Sequence, residues 1–335
     1  MIKLLDCTLR DGGYVNDWNF GKSNIKNITS ALEKANIDII ESGILINSSY
    51  NLNYDIVKYH SFSEIKMDSK KYYALMLILE SYNIDELPDC SFPNAIIRLS
   101  FHKKDLKKAI EYAKIIKKKG YKLFLQPTAT LFYSENELIE LINISNNEII
   151  PDSIAIVDTF GQMMKQDVLK LSKIFDKYVN ETTYISFHSH NNLQNSFSNA
   201  CEFLDYMHKK SRNIIVDSSL LGMGRGAGNL CTELISNYLN LKYESSYKID
   251  PIIEVIDNVI YPMKKEHEWG YCLAYYLSAI YGCHPNYSIR LLKHYSLNSS
   301  DIKNILSMIL DEKKLEFDCV YLDKLYHMYS QKKFI

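Results

Sequence analysis

Eight short runs of apolar residues alternate with amphipathic segments along the first 245 residues of the chain. The runs are nearly continuous in Ile, Leu, Val and aromatic residues, which is typical of parallel strands that are buried on both faces. Eight strands that alternate with helices predict a closed (β/α)8 TIM barrel, and a doubly wound open sheet is the alternative. The runs span residues 3–8, 37–43, 72–78, 95–101, 122–127, 153–158, 184–190 and 213–218.

Amphipathic segments with apolar residues at helical spacing lie between several of these runs. The helix predicted over residues 105–119 has Asp105 as its N-cap and Gly120 as the residue at which it stops. The predicted helices cover residues 23–35, 105–119, 134–144 and 168–175.

The pattern changes after residue 245. Residues 246–335 show no alternation of strands and helices, and we interpret their apolar runs as helices. We therefore expect a TIM-barrel domain over residues 1–245 and a helical C-terminal extension over residues 246–335. The runs in the extension span residues 252–260, 273–280, 302–310 and 320–329.

Composition excludes several classes of protein. Apolar residues make up 47% of the 335 residues and charged residues 24%, which is typical of a globular chain and not of a disordered one. The 39 Lys and Arg residues balance 40 Asp and Glu residues, so general electrostatic binding of nucleic acid or of a membrane surface is not expected. Seven scattered cysteines without a CxxC pair indicate reduced thiols, and the charged start does not resemble a signal peptide. We expect a cytoplasmic protein without a membrane span.

The strongest local motif is His188-Ser189-His190, at the end of the seventh predicted strand. Side chains at positions i and i+2 of a strand point to the same side. Both imidazoles can therefore bind one metal ion at the barrel mouth, where the carboxyl ends of the strands carry active sites. The alternative is a pair of histidines that form hydrogen bonds within a loop.

A second motif, Arg10-Asp11-Gly12-Gly13, follows the first predicted strand. In a closed barrel the first and seventh strands end at the same rim, so Asp11 can add a carboxylate to the ion held by the two histidines. Arg10 can then face a carboxylate or an oxyanion of the substrate. A surface Arg–Asp pair without a chemical role is the alternative.

A glycine-rich loop follows the last predicted strand and ends in Gly226-Ala227-Gly228-Asn229. The preceding residues fit the GxGxxA signature of dinucleotide-binding loops, but that signature belongs after the first strand of a sheet. We therefore favour a loop that lets the backbone and Asn229 approach the metal site.

Polar residues in or at the ends of four other strands are candidates for substrate binding, because barrel sites draw residues from several strands. A structural hydrogen bond is the alternative for each of them. They are Glu41, Arg98, Gln126 and Asp158.

The extension contains a tyrosine-rich stretch over residues 271–287. We expect it to lie beside or over the barrel mouth, with Tyr271 as a substrate-binding candidate and Tyr275 and His284 as catalytic candidates for proton transfer. The alternatives are that these side chains belong to a core, or that the extension forms the interface of a homodimer.

Three of these motifs together resemble the signature of the DRE-TIM metallolyases, an HMGL-like superfamily. It includes hydroxymethylglutaryl-CoA lyase, the isopropylmalate and homocitrate synthases, and 4-hydroxy-2-oxovalerate aldolase. The resemblance covers about residues 3–240 and implies a TIM barrel with a divalent metal ion. It implies Asp11, His188 and His190 as metal ligands, Asn229 as a fourth ligand in lyase-type members, and Arg10 as the group that stabilises an enolate. The motifs are residues 6–13, His188-Ser189-His190 and Gly226-Ala227-Gly228-Asn229.

Differences from the superfamily pattern at single positions indicate which subgroup the chain resembles most. Asn192-Leu193 after the histidine pair resembles the aldolase members more than the Claisen-type synthases, which have Asn-Asp after the pair. Residues 223–228 contain no cysteine, unlike the loop of the acyl-CoA lyases. Tyr14 stands where pyruvate aldolases carry a histidine and synthases often carry a glutamine, so it is a catalytic candidate while the identity of the base stays open.

The sequence is best explained by a divalent-metal-dependent aldolase that makes or breaks a carbon–carbon bond beside a pyruvate-type 2-oxo acid, with an aldehyde as second substrate. Mg²⁺ or Mn²⁺ suits the mixed oxygen and imidazole ligands, and Zn²⁺ or Co²⁺ is the alternative. Family analogy adds a dehydrogenase as a partner. The alternatives are a Claisen-type synthase that condenses an acyl-CoA with a 2-oxo acid, an amidohydrolase-type metal hydrolase, which would carry HxH on its first strand, and a non-catalytic metal-binding homologue.

Overall fold

Eight parallel strands close into a barrel in the computed structural model, which describes residues 1–50, 53–66, 68 and 70–333. Neighbours pair in the order β1-β9-β8-β7-β6-β5-β4-β2, and a pairing of β1 with β2 closes the ring. The short strand β3 pairs with the end of β2 outside the ring. The predicted TIM barrel is confirmed. The strands are β1 Ile2–Asp6, β2 Ile39–Leu45, β3 Lys58–Tyr59, β4 Tyr72–Ile78, β5 Ala95–Phe101, β6 Lys122–Pro127, β7 Ser153–Asp158, β8 Tyr184–Ser189 and β9 Ile214–Ser218.

Helices surround the barrel and form the C-terminal extension. The segments predicted from helical spacing correspond to α3, α4, α5 and α6, whereas α7 and α8 were not predicted. The helices are α1 Thr8–Asp11, α2 Gly13–Asn16, α3 Lys22–Lys34, α4 Leu106–Lys118, α5 Glu135–Ile144, α6 Lys165–Tyr178, α7 Ser196–Lys209, α8 Thr232–Tyr243, α9 Ile249–Val255, α10 Tyr261–Glu266, α11 Leu273–Ile280, α12 Pro285–Lys293, α13 Ser299–Leu306, α14 Asp311–Lys314 and α15 Cys319–Lys333.

Two connections of the barrel lack an α-helix among the described residues. Between β2 and β4 the regular structure is β3 and a 3-10 turn at Phe62–Glu64, and between β4 and β5 it is a 3-10 turn at Ile84–Glu86. The second connection contains Pro88 and Pro93. Proline removes a backbone donor and disfavours helix in the residue before it, which explains why this crossover stays irregular.

The ends of α4 show how the sequence sets a helix boundary. Gly120 has φ +88° and its N–H donates to the carbonyl of Lys117 over 3.0 Å, so the predicted stop is confirmed. Asp105 precedes the helix as predicted, but its side chain makes no capping hydrogen bond, and residues Lys103–Asp105 form a 3-10 turn instead.

The apolar core has a part inside the barrel and a larger part between strands and helices. Leu5, Ile96 and Phe124 fill the barrel interior on the side away from the strand ends that carry the candidate site. The larger part reaches through α9 and α10 to Trp269, whereas α11–α15 surround a core of their own around Tyr287 and Leu291. The predicted boundary after residue 245 stays a prediction, and residues 334–335 lie outside the described part. No helix within that part has the length and apolar character needed to cross a bilayer.

Candidate active site

The ends of three strands bring the predicted polar motifs to one rim of the barrel. After β1 the chain turns into the one-turn helix α1, which carries Arg10 and Asp11. His188 is the next-to-last residue of β8, and His190 follows the strand and forms an isolated bridge with Asn229 from the loop after β9. The backbone N–H of Leu220 donates to the hydroxyl of Thr8 over 2.8 Å and ties this loop to α1.

Asp11, His188 and His190 form a buried group with the geometry of a metal site. Their ligand atoms lie within 4.8 Å of one another. The two imidazole centroids are 5.1 Å apart with an interplanar angle of 85°, and Asp11 Oδ2 lies 3.9 Å from His190 Nδ1. One carboxylate and two imidazoles can hold Mg²⁺, Mn²⁺, Zn²⁺ or Co²⁺.

Two unpaired polar atoms at this group fit a bound cation. His190 Nδ1 and Asn229 Oδ1 are buried and have no hydrogen-bond partner among the described residues. Asn229 Nδ2 donates to Asp11 Oδ2 over 2.6 Å, which holds the amide against the carboxylate. Burying such atoms without a partner is costly, and a divalent ion would provide the partner that both lack.

Two members of this cluster, Asp11 and His190, have pKa values that favour their ligand forms. Burial alone would raise the pKa of Asp11, but the charge of Arg10 and the neighbouring His190 and His188 outweigh it and lower that pKa. Burial lowers the pKa of His190 to about 4, against the opposing effect of Asp11. Asp11 is therefore a carboxylate and His190 a neutral imidazole at neutral pH, as metal binding requires.

Asp217, at the carboxyl end of β9, positions His188 and was not predicted as a site residue. Its Oδ2 accepts a hydrogen bond from His188 Nδ1 over 3.0 Å and also contacts Arg98 Nη2. A second partner of this kind orients a ligating imidazole. The sequence signal was an acidic residue at the end of a strand that is otherwise apolar.

Arg98 and Glu41 form a buried ion-pair network beneath the cluster. Arg98 Nη1 donates to Glu41 Oε2 over 2.6 Å, and Nη2 donates to Gln126 Oε1 over 3.0 Å. The register of β2 shifts between Glu41 and Gly43, and such irregularities re-aim a side chain at the rim of a barrel. Arg98, Glu41 and Gln126, three of the four candidates predicted in or at the ends of strands, therefore lie together within the barrel.

Arg10 lies between this network and the candidate metal ligands. Its Nε donates to Glu41 Oε2 over 2.8 Å and its Nη1 donates to Asp11 Oδ1 over 2.5 Å. No described residue accepts a hydrogen bond from Nη2. The side chain is buried, so Arg10 is not the solvated surface pair that was the alternative.

Asp158 is placed differently from the other strand-end candidates. Its Oδ1 and Oδ2 accept hydrogen bonds from the backbone N–H groups of Gln162 and Met163, over 3.0 and 3.1 Å. Burial raises the pKa of Asp158 to about 7, although these backbone bonds oppose the shift. The carboxyl group thus fixes the turn after β7, which corresponds to the structural alternative.

The tyrosine and histidine candidates lie at different depths. Tyr14 is 39% exposed, and its ring centroid is 4.7 Å from that of Trp18. Tyr275 is half-buried on α11, and burial raises its pKa to about 12. Tyr271 is 56% exposed. His284 is buried, and Asn286 N–H donates to its Nδ1 over 3.1 Å.

The extension reaches the rim through the glycine-rich loop. Arg225 in this loop contacts His284 Nε2, and Trp269 Nε1 donates to the carbonyl of Leu221 over 3.1 Å. Burial lowers the pKa of His284 to about 2, and the charge of Arg225 adds to the shift. His284 is therefore neutral at physiological pH, and the predicted contact of this stretch with the substrate pocket stays a prediction.

Gly224 explains why the loop is rich in glycine. A Cβ at this position would lie 2.2 Å from Asn229 Nδ2 and 2.6 Å from Asp11 Oδ2, closer than atoms can approach. The loop backbone therefore packs directly against Asn229 and Asp11, as expected for a loop that approaches the candidate metal site.

Comparisons with known proteins agree with this fold and site. The HMGL-like family model matches residues 94–259, which include the histidine pair and the glycine-rich loop. A 4-hydroxy-2-oxovalerate aldolase of Carboxydothermus hydrogenoformans is 24% identical over 90% of each chain. The aldolase of that name from Geobacillus genomosp. 3 is 27% identical over 78% of this chain and 77% of its own.

Solved structures match over most of the chain. The N-terminal domain of a candidate aldolase from Bacteroides vulgatus is 25% identical, with a TM-score of 0.71 over 88% of this chain and 98% of that one. The carboxyl transferase domain of Rhizobium etli pyruvate carboxylase, solved with pyruvate, has a TM-score of 0.68. That match is 13% identical and covers 99% of this chain and 62% of the other, so it shows the fold alone.

The fold, the buried carboxylate–imidazole cluster and these matches define a carbon–carbon lyase built on a TIM barrel. Residues 94–259 match the HMGL-like family, and this match together with the two curated relatives described above, both 4-hydroxy-2-oxovalerate aldolases, supports the DRE-TIM superfamily. The predicted family is confirmed.

Proposed function

We propose that this protein is a divalent-metal-dependent aldolase acting on a pyruvate-type 2-oxo acid and an aldehyde. The observation that carries the proposal is the buried group of Asp11, His188 and His190 at the strand ends, with the Arg10 guanidinium against Asp11. The relatives named for 4-hydroxy-2-oxovalerate cleavage support this reaction class.

Four side chains would hold the cation. They are Asp11, His188 and His190, with Asn229 Oδ1 as the fourth donor because it is buried and unpaired among the described residues. A divalent ion bound there supplies Lewis-acid polarisation of the 2-oxo acid and a template for its carboxylate and keto oxygens. Mg²⁺ or Mn²⁺ suits this oxygen-containing donor set best, with Zn²⁺ or Co²⁺ as the alternative.

Arg10 stabilises the negative charge that develops on the 2-oxo acid. Glu41 and Asp11 fix its Nε and Nη1, so the guanidinium plane is held before substrate binds. Nη2 is then available to donate a hydrogen bond to the enolate oxygen or to the carboxylate. A pre-oriented cationic donor of this kind stabilises negative charge more strongly in a buried site than in water.

Tyr14 is the candidate that delivers the proton in the addition direction. The enolate carbon forms a bond to the aldehyde carbon, the π electrons of the aldehyde move to its oxygen, and that oxygen takes the tyrosine proton. The charges of Arg225, Arg10 and Asp11 all act on the Tyr14 hydroxyl, which supports this role. His284 is the weaker candidate, because an imidazole with a pKa of about 2 carries no acidic proton to donate near neutrality.

Cleavage of 4-hydroxy-2-oxovalerate tests the proposal, with pyruvate release followed through lactate dehydrogenase. We expect release that requires a divalent ion and is lost in His188→Ala and His190→Ala. Thiol release from acetyl-CoA in the presence of a 2-oxo acid would instead indicate a Claisen-type synthase. Metal binding without either reaction across a panel of 2-oxo acids would indicate a non-catalytic homologue.

A further inference from the structure

Arg225 is a third arginine at this end of the barrel, in addition to Arg10 and Arg98. It lies half-buried in the loop between β9 and α8. Its Cζ is 5.2 Å from the ring centroid of Tyr14, and its Nη2 contacts Nε2 of His284. The guanidinium therefore lies between Tyr14, the candidate proton donor, and His284 of the extension.

The charge of Arg225 has no acidic partner in the part of the chain that the structure describes. Arg10 pairs with Asp11 and Glu41, and Arg98 pairs with Glu41 and Asp217, but no carboxylate lies within 4.0 Å of the Arg225 guanidinium. His284 is neutral and adds no negative charge. Desolvating a cation without a counter-ion is costly, so this arrangement is explained best by an anion that arrives with a ligand.

The sequence adds an independent indication. Only five of the 39 basic residues are arginines, and three of these five lie at the mouth of the barrel. Lysine serves nearly every other basic position of the chain. Arginine differs from lysine in presenting a planar fork of donors that matches carboxylate and phosphate oxygens. The presence of arginine at position 225 therefore points to recognition of an oxyanion.

The loop holds Arg225 in a fixed place before any ligand binds. Gly228 N–H donates to the carbonyl of Arg225 over 3.1 Å, and Ala227 N–H donates to Asn192 Oδ1 over 2.8 Å. Gly226 adopts φ +69°, and a Cβ there would lie 2.7 Å from Asn192 Oδ1, so the close contact needs glycine. A binding group on such a support loses little freedom when its ligand docks.

We infer that Arg225 binds an oxyanion group, a carboxylate or a phosphate, on the aldehyde substrate, and so makes the enzyme selective for anionic aldehydes. This inference rests on the proposed aldolase function. The carboxylate of the 2-oxo acid already has Arg10 and the cation for its recognition. Arg225 lies beside Tyr14, which protonates the aldehyde oxygen, and is thus on the side from which the aldehyde enters.

Two pairs of aldehydes, each with one anionic and one neutral member, test this inference. The rate of addition to pyruvate is measured for succinic semialdehyde against pentanal, and for glyceraldehyde 3-phosphate against glyceraldehyde. We expect wild-type kcat/KM to favour at least one anionic aldehyde over its neutral counterpart. Arg225→Met should reduce that preference roughly 10- to 100-fold, as loss of a hydrogen bond to a charged group would, and Arg225→Lys should reduce it less. The pair that responds distinguishes a carboxylate from a phosphate.

Arg290→Met is the matched control, since Arg290 pairs with Asp323 on the extension. It removes the same functional group and should leave the preference at its wild-type value. Equal use of both members of each pair by the wild type, failure to use any of the four aldehydes, or an unaltered preference in Arg225→Met would overturn the inference.

Deuterium exchange at C3 of pyruvate, measured on the same wild-type sample, separates the two proposals. Exchange that proceeds without any anionic preference would overturn the role of Arg225 and leave the aldolase proposal standing. A sample that exchanges no deuterium with metal present would contradict the aldolase proposal itself.

Discussion

Asp217 accepts a hydrogen bond from Nδ1 of His188 over 3.0 Å, and this contact leaves Nε2 as the imidazole nitrogen that can bind a cation. Burial alone would raise the pKa of Asp217, but the charge of Arg98 and the bond from His188 outweigh it and lower that pKa. Asp217 therefore stays an anion and holds His188 as the Nδ1–H tautomer. A carboxylate behind a ligating histidine raises the basicity of the imidazole and fixes its orientation.

Asp217→Asn tests this orienting role. The amide keeps the size of the side chain but removes the charge, so we expect metal affinity to fall roughly 10- to 100-fold. The measurement is the dissociation constant for Mn²⁺ by isothermal titration calorimetry. Asp205→Asn, at an aspartate bound to Lys242 outside the site, is the control. If Asp217→Asn binds Mn²⁺ with the affinity of the wild type, Asp217 does not orient a metal ligand.

Arg10→Met tests the stabilisation of the enolate. We expect the rate of pyruvate C3 exchange to fall on the order of 100-fold, by analogy with the loss of an oxyanion donor. Metal affinity should fall as well, because Arg10 Nη1 holds Asp11 Oδ1 at 2.5 Å. The exchange is therefore measured at saturating metal. An exchange rate equal to that of the wild type under those conditions would show that Arg10 has only a structural role.

Gly224→Ala tests the packing of the loop on the site. The added Cβ would overlap Asn229 Nδ2 and Asp11 Oδ2, so one of these ligand candidates must move. We expect metal affinity to fall at least roughly tenfold, with a loss of unfolding free energy of about 1–3 kcal/mol from overpacking. Gly270→Ala is the comparison for metal affinity alone, since its added carbon meets no atom within 4 Å beyond the neighbouring residues, whereas the φ of +117° there adds backbone strain that lowers stability. Equal metal affinity in the two variants would contradict the predicted contact.

Asp6→Asn tests a buried carboxyl group that supports the start of α1. Thr8 N–H and the Thr232 hydroxyl donate to Asp6 over 2.9 and 2.6 Å, and burial nevertheless raises its pKa to about 6. The folded state therefore binds the proton more tightly than the unfolded state, whose pKa is about 3.9. The stability from this group is fully present below about pH 4 and is lost as the pH rises through about 6.

For Asp6→Asn we expect the difference in unfolding free energy from the wild type to change with pH. Asparagine does not titrate, so relative to the wild type the unfolding free energy of Asp6→Asn should rise by about 1.4 kcal/mol from pH 5 to pH 7.5. Urea denaturation at both pH values measures it. Asp89→Asn controls for net charge, because the Asp89 side chain is 91% exposed. If the difference in unfolding free energy between Asp6→Asn and the wild type stays constant or falls between the two pH values, the predicted pH dependence is wrong.

The strands of the barrel could be predicted closely, and their connections less well. The bounds of β4, β5, β6 and β7 equal the predicted ones, because strands buried on both faces are apolar along their whole length. The prediction for β1 ran two residues too far, to Thr8, since apolar residues continue into the helical turn α1. Periodicity alone could not show that two crossovers lack a helix.

Contacts across the barrel explain why part of the site could not be predicted. The proximity of Asp11 to the histidine pair followed from strand order, and the role of these residues as ligands stays a prediction. Arg98 and Asp217 are separated by 119 residues, and only the closed sheet shows that they pair. Asp158 resembled a pocket residue, but its carboxyl group binds the turn that follows β7.

Metal-dependent deuterium exchange at C3 of pyruvate is the most direct test of the central claim, that Asp11, His188 and His190 hold a divalent ion at which a 2-oxo acid is deprotonated. Protein freed of metal by chelation is incubated with pyruvate in deuterated buffer, before and after addition of Mn²⁺, and exchange is followed by proton NMR. We expect exchange at the buffer rate without metal and faster, enzyme-catalysed exchange after addition of Mn²⁺. Exchange that persists in the chelated protein, or that stays at the buffer rate with Mn²⁺ bound, would contradict it.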